Sequence, residues 1–205
     1  VEYAVSRLME QDPKQRWAAD GRGYQLPFGP TKVTVEVRDE AAKIDLNAAA
    51  PALLAGLFEE LGEPRERATR LAGAIVDWRD IDNLSQPAGG AEDPAYASAG
   101  LAWGAKDAPF DSVAELEQVL GMRPGLYAAA APHLTMYSGN ATPDAGIADT
   151  IVLAAMGLQP RPPPIDPDAL PASAGSGTYS IDSRARLPDG RSGHLSVVLR
   201  MGGNA

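Results

Sequence analysis

Cysteine is absent from the 205 residues, which excludes disulfides, thiolate metal sites and a cysteine nucleophile. Histidine occurs twice, at His133 and His194, and the serines near either are isolated, so nucleophilic catalysis has no visible apparatus. There is no G-x-S-x-G elbow, no P-loop and no dinucleotide fingerprint. No stretch approaches the roughly 20 apolar residues of a membrane span, and no signal peptide is visible. Positive charge is also scarce: 18 Lys and Arg stand against 27 Asp and Glu, a formal net charge of −9. That balance argues against nucleic acid and anionic membrane as main partners, because both need clustered cations.

What is present suits a folded chain. Hydrophobic residues make up 44% and charged residues 22%, enough for one good core or two smaller ones and too apolar for wholesale disorder. Val1, Ala4, Val5, Leu8 and Met9 form a helical stripe, predicting a helix over 1–19 that Gly21 and Gly23 end. The chain opens in mid-helix, and an upstream segment is expected. Thr31 to Asp39 alternates, with Val33, Val35 and Val37 on one face, and Tyr24 to Phe28 is its expected hairpin partner. Ala-rich helices are predicted over 50–61, 64–79, 112–120 and 124–133, with Pro94 among the breakers between them. Another is predicted over 144–156, started by Thr142-Pro143. Residues 159–176 are rich in Pro, Ser and Gly and read as a linker. Alternation returns over 178–187 and 193–200 around Pro188-Asp189-Gly190, a β-hairpin. Two strands alone are marginal in water, so this hairpin needs the strands near residue 35 as neighbours. The expected fold is α+β: an N-terminal helix on one antiparallel sheet, split by a large helical insertion. The expected domains are 1–44 with 177–205, and 45–158.

Asp77, Asp80, Asp82, Glu92 and Asp93 form the one strong polar cluster. It reads as a solvated acidic loop with helix caps, as a cation site, or as catalytic carboxylates, though no sugar-binding aromatic platform accompanies it. Carboxylates held close together repel, by roughly 4 kcal/mol for a pair about 4 Å apart at an effective dielectric near 20. A hard cation with oxygen ligands and irregular geometry, such as calcium, would relieve that repulsion. The lack of Cys, and of His nearby, disfavours zinc and copper. Asp80, Asp82 and Glu92 are the expected direct ligands, with Asp77 and Asp93 as capping or supporting groups. Trp17, Trp78 and Trp103 read as packing residues.

Ile44-Asp45-Leu46-Asn47-Ala48-Ala49, followed by Leu53, Leu54 and Leu57, resembles the first half of a helix-hairpin-helix DNA-binding unit. Its hairpin, Leu61-Gly62-Glu63-Pro64, however, puts an acid where a phosphate would lie. Residues 45–135 also hold 6 Lys and Arg against 14 Asp and Glu.

A second resemblance covers more of the chain. Lys43 to Ala49, then Ala74-Ile75-Val76-Asp77-Trp78-Arg79-Asp80-Ile81-Asp82, lead on to Gly90-Ala91-Glu92-Asp93 and Tyr96. Pro109-Phe110, Glu115-Leu116, Val119, Gly121-Met122 and Leu134-Thr135 follow. In this order the series resembles the K-type minor pseudopilins of type II secretion, over residues 31–157 and the closing hairpin. Here the stretch after Tyr137 is shorter than such proteins commonly have. The resemblance implies a pilin-like fold with a helix-hairpin-helix or SAM-like insertion. It also implies a structural role, not an enzymatic one, at the tip of a periplasmic pseudopilus that supports export of folded proteins across the outer membrane. The implied partners are the I- and J-type minor pseudopilins, met through the N-terminal helix at Val1, Val5 and Leu8. Membrane attachment would come only through an inner-membrane helix upstream of these residues. The resemblance points to calcium in the acidic loop as well. The rival function is DNA binding or uptake through the hairpin.

Overall fold

The computed structural model describes residues 1–160 and 175–201, so most of the expected linker lies outside the described residues. In chain order the first elements are α1 (Glu2–Leu8), β1 (Asp20–Phe28), β2 (Thr31–Asp39), β3 (Ile44–Asp45), α2 (Pro51–Glu60) and α3 (Arg65–Arg79). There follow α4 (Asp93–Ser98), α5 (Pro124–Ala130), β4 (Leu134–Thr135), α6 (Thr150–Ala155), β5 (Thr178–Arg186) and β6 (Ser192–Arg200). The chain divides into two compact units. The first gathers Val1–Ala42, Asp144–Ala148 and the C-terminal strands; the second holds Lys43–Pro143 and the helix that follows Asp149.

In the first unit the strands form one antiparallel sheet in the order β1-β2-β5-β6, as the alternating patterns require. Val37 sits directly opposite Ile181, and both are essentially inaccessible to water. Burying each such side chain stabilises the fold by about 1.5–3 kcal/mol. Helix α1 covers this apolar face and is much shorter than the predicted 1–19. Asp12-Pro13 explains the difference: Pro13 cannot continue a helix and biases the residue before it away from helical geometry. The chain then doubles back, and the Trp17 N–H donates to the Arg7 carbonyl at 3.0 Å. Trp17 stacks on Tyr24 with ring centroids 4.0 Å apart, closing the end of the core. Asp39, buried where β2 ends, accepts the Ala41 N–H at 2.8 Å and the Ser176 N–H at 2.7 Å. It thereby ties the returning chain to β2 across the whole insertion.

The second unit is mostly helical. Helices α2 and α3 form a hairpin in which Gly62 takes φ +91°, a conformation that only glycine adopts without strain. Glu63 pairs with Arg67 at 3.4 Å and with Arg123. The acid in the hairpin is thus already matched to nearby cations. Leu54, Leu57, Phe58, Ile75, Tyr96, Phe110 and Leu116 form the deepest core positions. The two ends of the insertion meet in a parallel pair of strands, Ile44 opposite Leu134 and Asp45 opposite Thr135. Asp45 is buried there and accepts from the Asn47 N–H, the Ser138 hydroxyl and the Gly139 N–H at 2.8–3.0 Å. Asn47 clamps the Phe110 backbone from both sides, donating to its carbonyl at 3.0 Å and accepting its N–H at 2.7 Å.

Three further helix expectations change. The predicted helix 144–156 is only α6, because Asp149 is its N-cap and accepts the N–H groups of Ile151 and Val152; Thr142-Pro143 does not start it. Pro94 opens α4 instead of breaking the chain, since proline fits the first turn of a helix. The 112–120 stretch is a 3-10 helix over Val113–Gln118, started by a Ser112/Glu115 capping box.

Candidate metal centre

Helix α3 ends at Asp80, whose extended backbone turns the chain away from the helix axis. The C-terminus of a helix is the negative end of its dipole, so a carboxylate there adds to an unfavourable field that a cation would relieve. The loop from Asp80 returns at Glu92, the N-cap of α4. Gly73 and Gly90 make this return possible. A Cβ on Gly73 would lie 2.9 Å from the Gly89 carbonyl oxygen, and one on Gly90 would overlap the Asp77 carboxylate.

Asp80, Asp82 and Glu92 each present a carboxylate oxygen within 4.8 Å of the other two. Oxygens bound to one calcium ion at about 2.3–2.6 Å can be no farther apart than about 5 Å. Both Glu92 oxygens and Asp80 Oδ1 are buried without any hydrogen-bond partner, and Glu92 is only 4% exposed. Leaving such groups unsatisfied is costly, and a metal ligand role would satisfy them. Burial, then repulsion from Asp77, Asp80, Asp107 and Asp82, pushes the Glu92 carboxyl up to about 7. Burial is also the main cause of the raised Asp80 value, with Asp82 and Asp107 adding to it and Arg79 opposing them.

The other two predicted ligands do different work. Asp77 is fully buried and accepts the Gln86 N–H at 3.1 Å, holding the loop against α3. Burial raises its carboxyl, while hydrogen bonds from the Gln86 and Ala91 backbone act against the shift. Asp93 accepts the Ala105 N–H at 3.2 Å and so braces the segment after α4. Asp107 joins the cluster unforeseen. Its Oδ1 is buried without a partner, and its charge bears on both Asp80 and Glu92. Its backbone adopts φ +53°, a conformation that aspartate tolerates better than most residues. That tolerance was the only sequence signal, and it is a faint one. The nearby cation is turned elsewhere: Arg79 donates to the Leu46 and Ala49 carbonyls, the latter at 2.7 Å.

The predicted partner stripe is divided. Val1 is 47% exposed, but Val5 and Leu8 are half-buried and pack against the core of the chain's own sheet. The sheet's apolar face needs a cover, and α1 supplies it; Tyr3 and Met9 are the large side chains it leaves exposed. His133 Nδ1 lies 2.7 Å from the Asp149 cap, and His194 Nε2 lies 3.0 Å from Asp182, so each histidine pairs with an acid. Trp17 and Trp78 are core residues, whereas Trp103 is 48% exposed and donates to the Gln118 carbonyl.

The sequence model of "Type II secretion system (T2SS), protein K" matches residues 35–139, just over half of the chain. The chain belongs to the type II secretion system protein K family. The matched span runs from β2 through the whole acidic loop to β4, which pairs with β3 to form the clasp that closes the insertion. Type II secretion system protein K of Pectobacterium carotovorum subsp. carotovorum is 33% identical over 78 residues, covering 38% of this chain and 24% of that protein. The Klebsiella pneumoniae protein of the same name is 31% identical over 134 residues, covering 58% and 40%. The chain thus spans well under half the length of these protein K relatives. Its fold is similar to a chain in the crystal structure of the GspK-GspI-GspJ complex from the enterotoxigenic Escherichia coli type 2 secretion system. The TM-score is 0.68 at 19% identity, over 98% of this chain and 88% of that one. The α+β architecture is therefore shared with a chain of that complex.

Proposed function

We propose that this chain is the periplasmic part of a minor pseudopilin at the tip of the type II secretion pseudopilus. It acts as a structural subunit, not an enzyme, in the export of folded proteins across the outer membrane. The observation that carries this reading is a family match covering the insertion, in a chain whose fold is that of a protein solved in complex with GspI and GspJ. Its partners are I- and J-type minor pseudopilins, met near α1, where Val1, Tyr3 and Met9 stand out to solvent. On the family's plan, attachment to the inner membrane precedes assembly. The test is co-purification of the tagged chain with I- and J-type pseudopilins of the same organism. A stable ternary complex is expected, and failure to recover either partner at micromolar concentration counts against the reading.

Within this function the acidic loop holds calcium, with Asp80, Asp82 and Glu92 as ligands and Asp107 close by. Orphaned buried oxygens on Glu92 and Asp80 support that assignment. The ion would supply structural order: it fixes the return of the chain from α3 to α4 and cancels the repulsion among the acids. DNA binding through the α2–α3 hairpin draws no support from its geometry, because Glu63 pairs with Arg67 and Arg123 and Glu66 pairs with Arg70.

A further inference from the structure

The sheet of the first unit has a second face, the one away from α1, and its charge runs against that of the chain. Thr34, Lys32 and Gln25 from the β1–β2 hairpin and Arg184, Arg186 and His194 from the β5–β6 hairpin line a groove of about 940 Å³. The lining holds three Lys or Arg and a histidine and no acid, on a chain whose net charge is −9. Register explains how they meet. Lys32 is directly opposite Arg186, and Arg184 is directly opposite His194. The second pair is neutralised: Arg184 bonds Glu36 at 3.0 Å and His194 bonds Asp182 at 3.0 Å. The first pair is not. Among the described residues neither Lys32 nor Arg186 has an ion-pair partner, and both are exposed. Like charges directly opposite on adjacent strands destabilise a sheet unless something lies between them. Directly opposite positions set their Cβ atoms about 4.5–5.5 Å apart, so both side chains can reach one oxyanion.

We propose that this groove is an anion site that seats a carboxylate-bearing segment of a partner polypeptide, with the carboxylates bridging Lys32 and Arg186. Charge complementarity selects an acidic partner, and the concave shape selects an extended chain. A bilayer is the weaker fit, because surface-bound elements anchor with aromatic and apolar side chains and this lining contains no aromatic residue. Ser192, directly opposite Arg186 on the same face, is small and leaves one wall low. A peptide backbone can therefore approach β6.

The experiment uses the whole chain in metal-free buffer at low ionic strength, with a fluorescein-labelled Glu-rich peptide followed by anisotropy. Saturable binding is expected that fades as salt shortens the screening length. Lys32→Ser with Arg186→Ser should weaken it about tenfold or more, the loss expected for two charge-assisted hydrogen bonds. Lys14→Ser with Arg16→Ser, which removes equal charge from an exposed turn, should change affinity less than about twofold, a weak effect for rim charges. The charge-conserving pair Lys32→Arg and Arg186→Lys should still bind. The thermal transition of the Lys32→Ser/Arg186→Ser protein should hold steady or rise, because a repulsion has gone. Absence of saturable binding overturns the proposal, as does equal weakening in both serine pairs. Capture by phosphatidylglycerol vesicles in place of the peptide overturns it too.

Discussion

Glu92 concentrates the strain of the acidic loop, with neither oxygen hydrogen-bonded and acids on several sides. Its folded-state value of about 7 lies above the ordinary 4.5. Between those values the native chain holds a proton that the unfolded chain has released. The stability from this group is therefore fully present below about pH 4.5 and is lost as pH rises through about 7. The metal-free protein should lose up to about 3 kcal/mol on that account, seen as a falling thermal midpoint across the same window. On the proposed assignment calcium would reverse the trend by binding the ionised carboxylate, so a calcium-dependent rise in melting temperature should grow with pH over that range. Glu92→Gln should flatten the metal-free profile and remove most of the calcium response, and Asp82→Ala should remove the response while leaving the metal-free profile sloped. A calcium response of wild-type size in both variants would falsify the ligand assignment. Asp77 makes a contrasting case. Asp77→Ala should cost about 1–3 kcal/mol in denaturant melts whether or not calcium is present, because it strands buried N–H groups of the loop.

Among the elements, legibility followed locality. Strands β2, β5 and β6 show in the sequence because alternation is a property of adjacent residues, and a lone hairpin's need for neighbours then implies the sheet. Helices α2 and α3 show for the same reason. The extent of α1 did not, because the stripe Val1 to Met9 continued in expectation through Asp12-Pro13, where the backbone cannot follow. Helix α4 is hard to see because Pro94 reads locally as a breaker, although proline also fits a first helical turn. In the acidic loop, Asp80, Asp82 and Glu92 were recognisable as a group by spacing and flexible glycines. Asp107 reaches them only through tertiary folding, which no local pattern encodes. The backbone clamp by Asn47 is equally non-local, joining residues 63 positions apart. Asn47→Ala should lower stability by about 1–3 kcal/mol, since the Phe110 N–H and carbonyl lose their partner, and hydrogen exchange at Phe110 should accelerate. Protection there that survives the substitution would mean the clamp is incidental.

For the molecule as a whole, the proposed function gives α1 a second task beside covering the sheet, and the two tasks fall on different residues. Leu8→Asp should destabilise the isolated chain by about 1–3 kcal/mol, because it places a charge against the sheet's core. Met9→Asp, at a position 68% exposed, should leave the thermal transition within about 0.5 kcal/mol and weaken recovery with I- and J-type partners. If both variants lose partners only in proportion to lost stability, then α1 is merely a lid. The closure of the insertion has a mechanical consequence as well. Because Ile44 and Leu134 sit side by side in parallel strands, tension on the chain crosses from one to the other and bypasses everything between. The lobe is held as slack, roughly 300 Å of extended contour for the 90 intervening steps at about 3.3–3.6 Å each. Drawn from its two ends, the clasp is loaded in shear across its short ladder and the buried Asp45 contacts that back it. Because β2 pairs with β5 outside this clasp, a pull on the two ends of the whole chain is borne by the sheet, and the slack is paid out only once those two strands have parted.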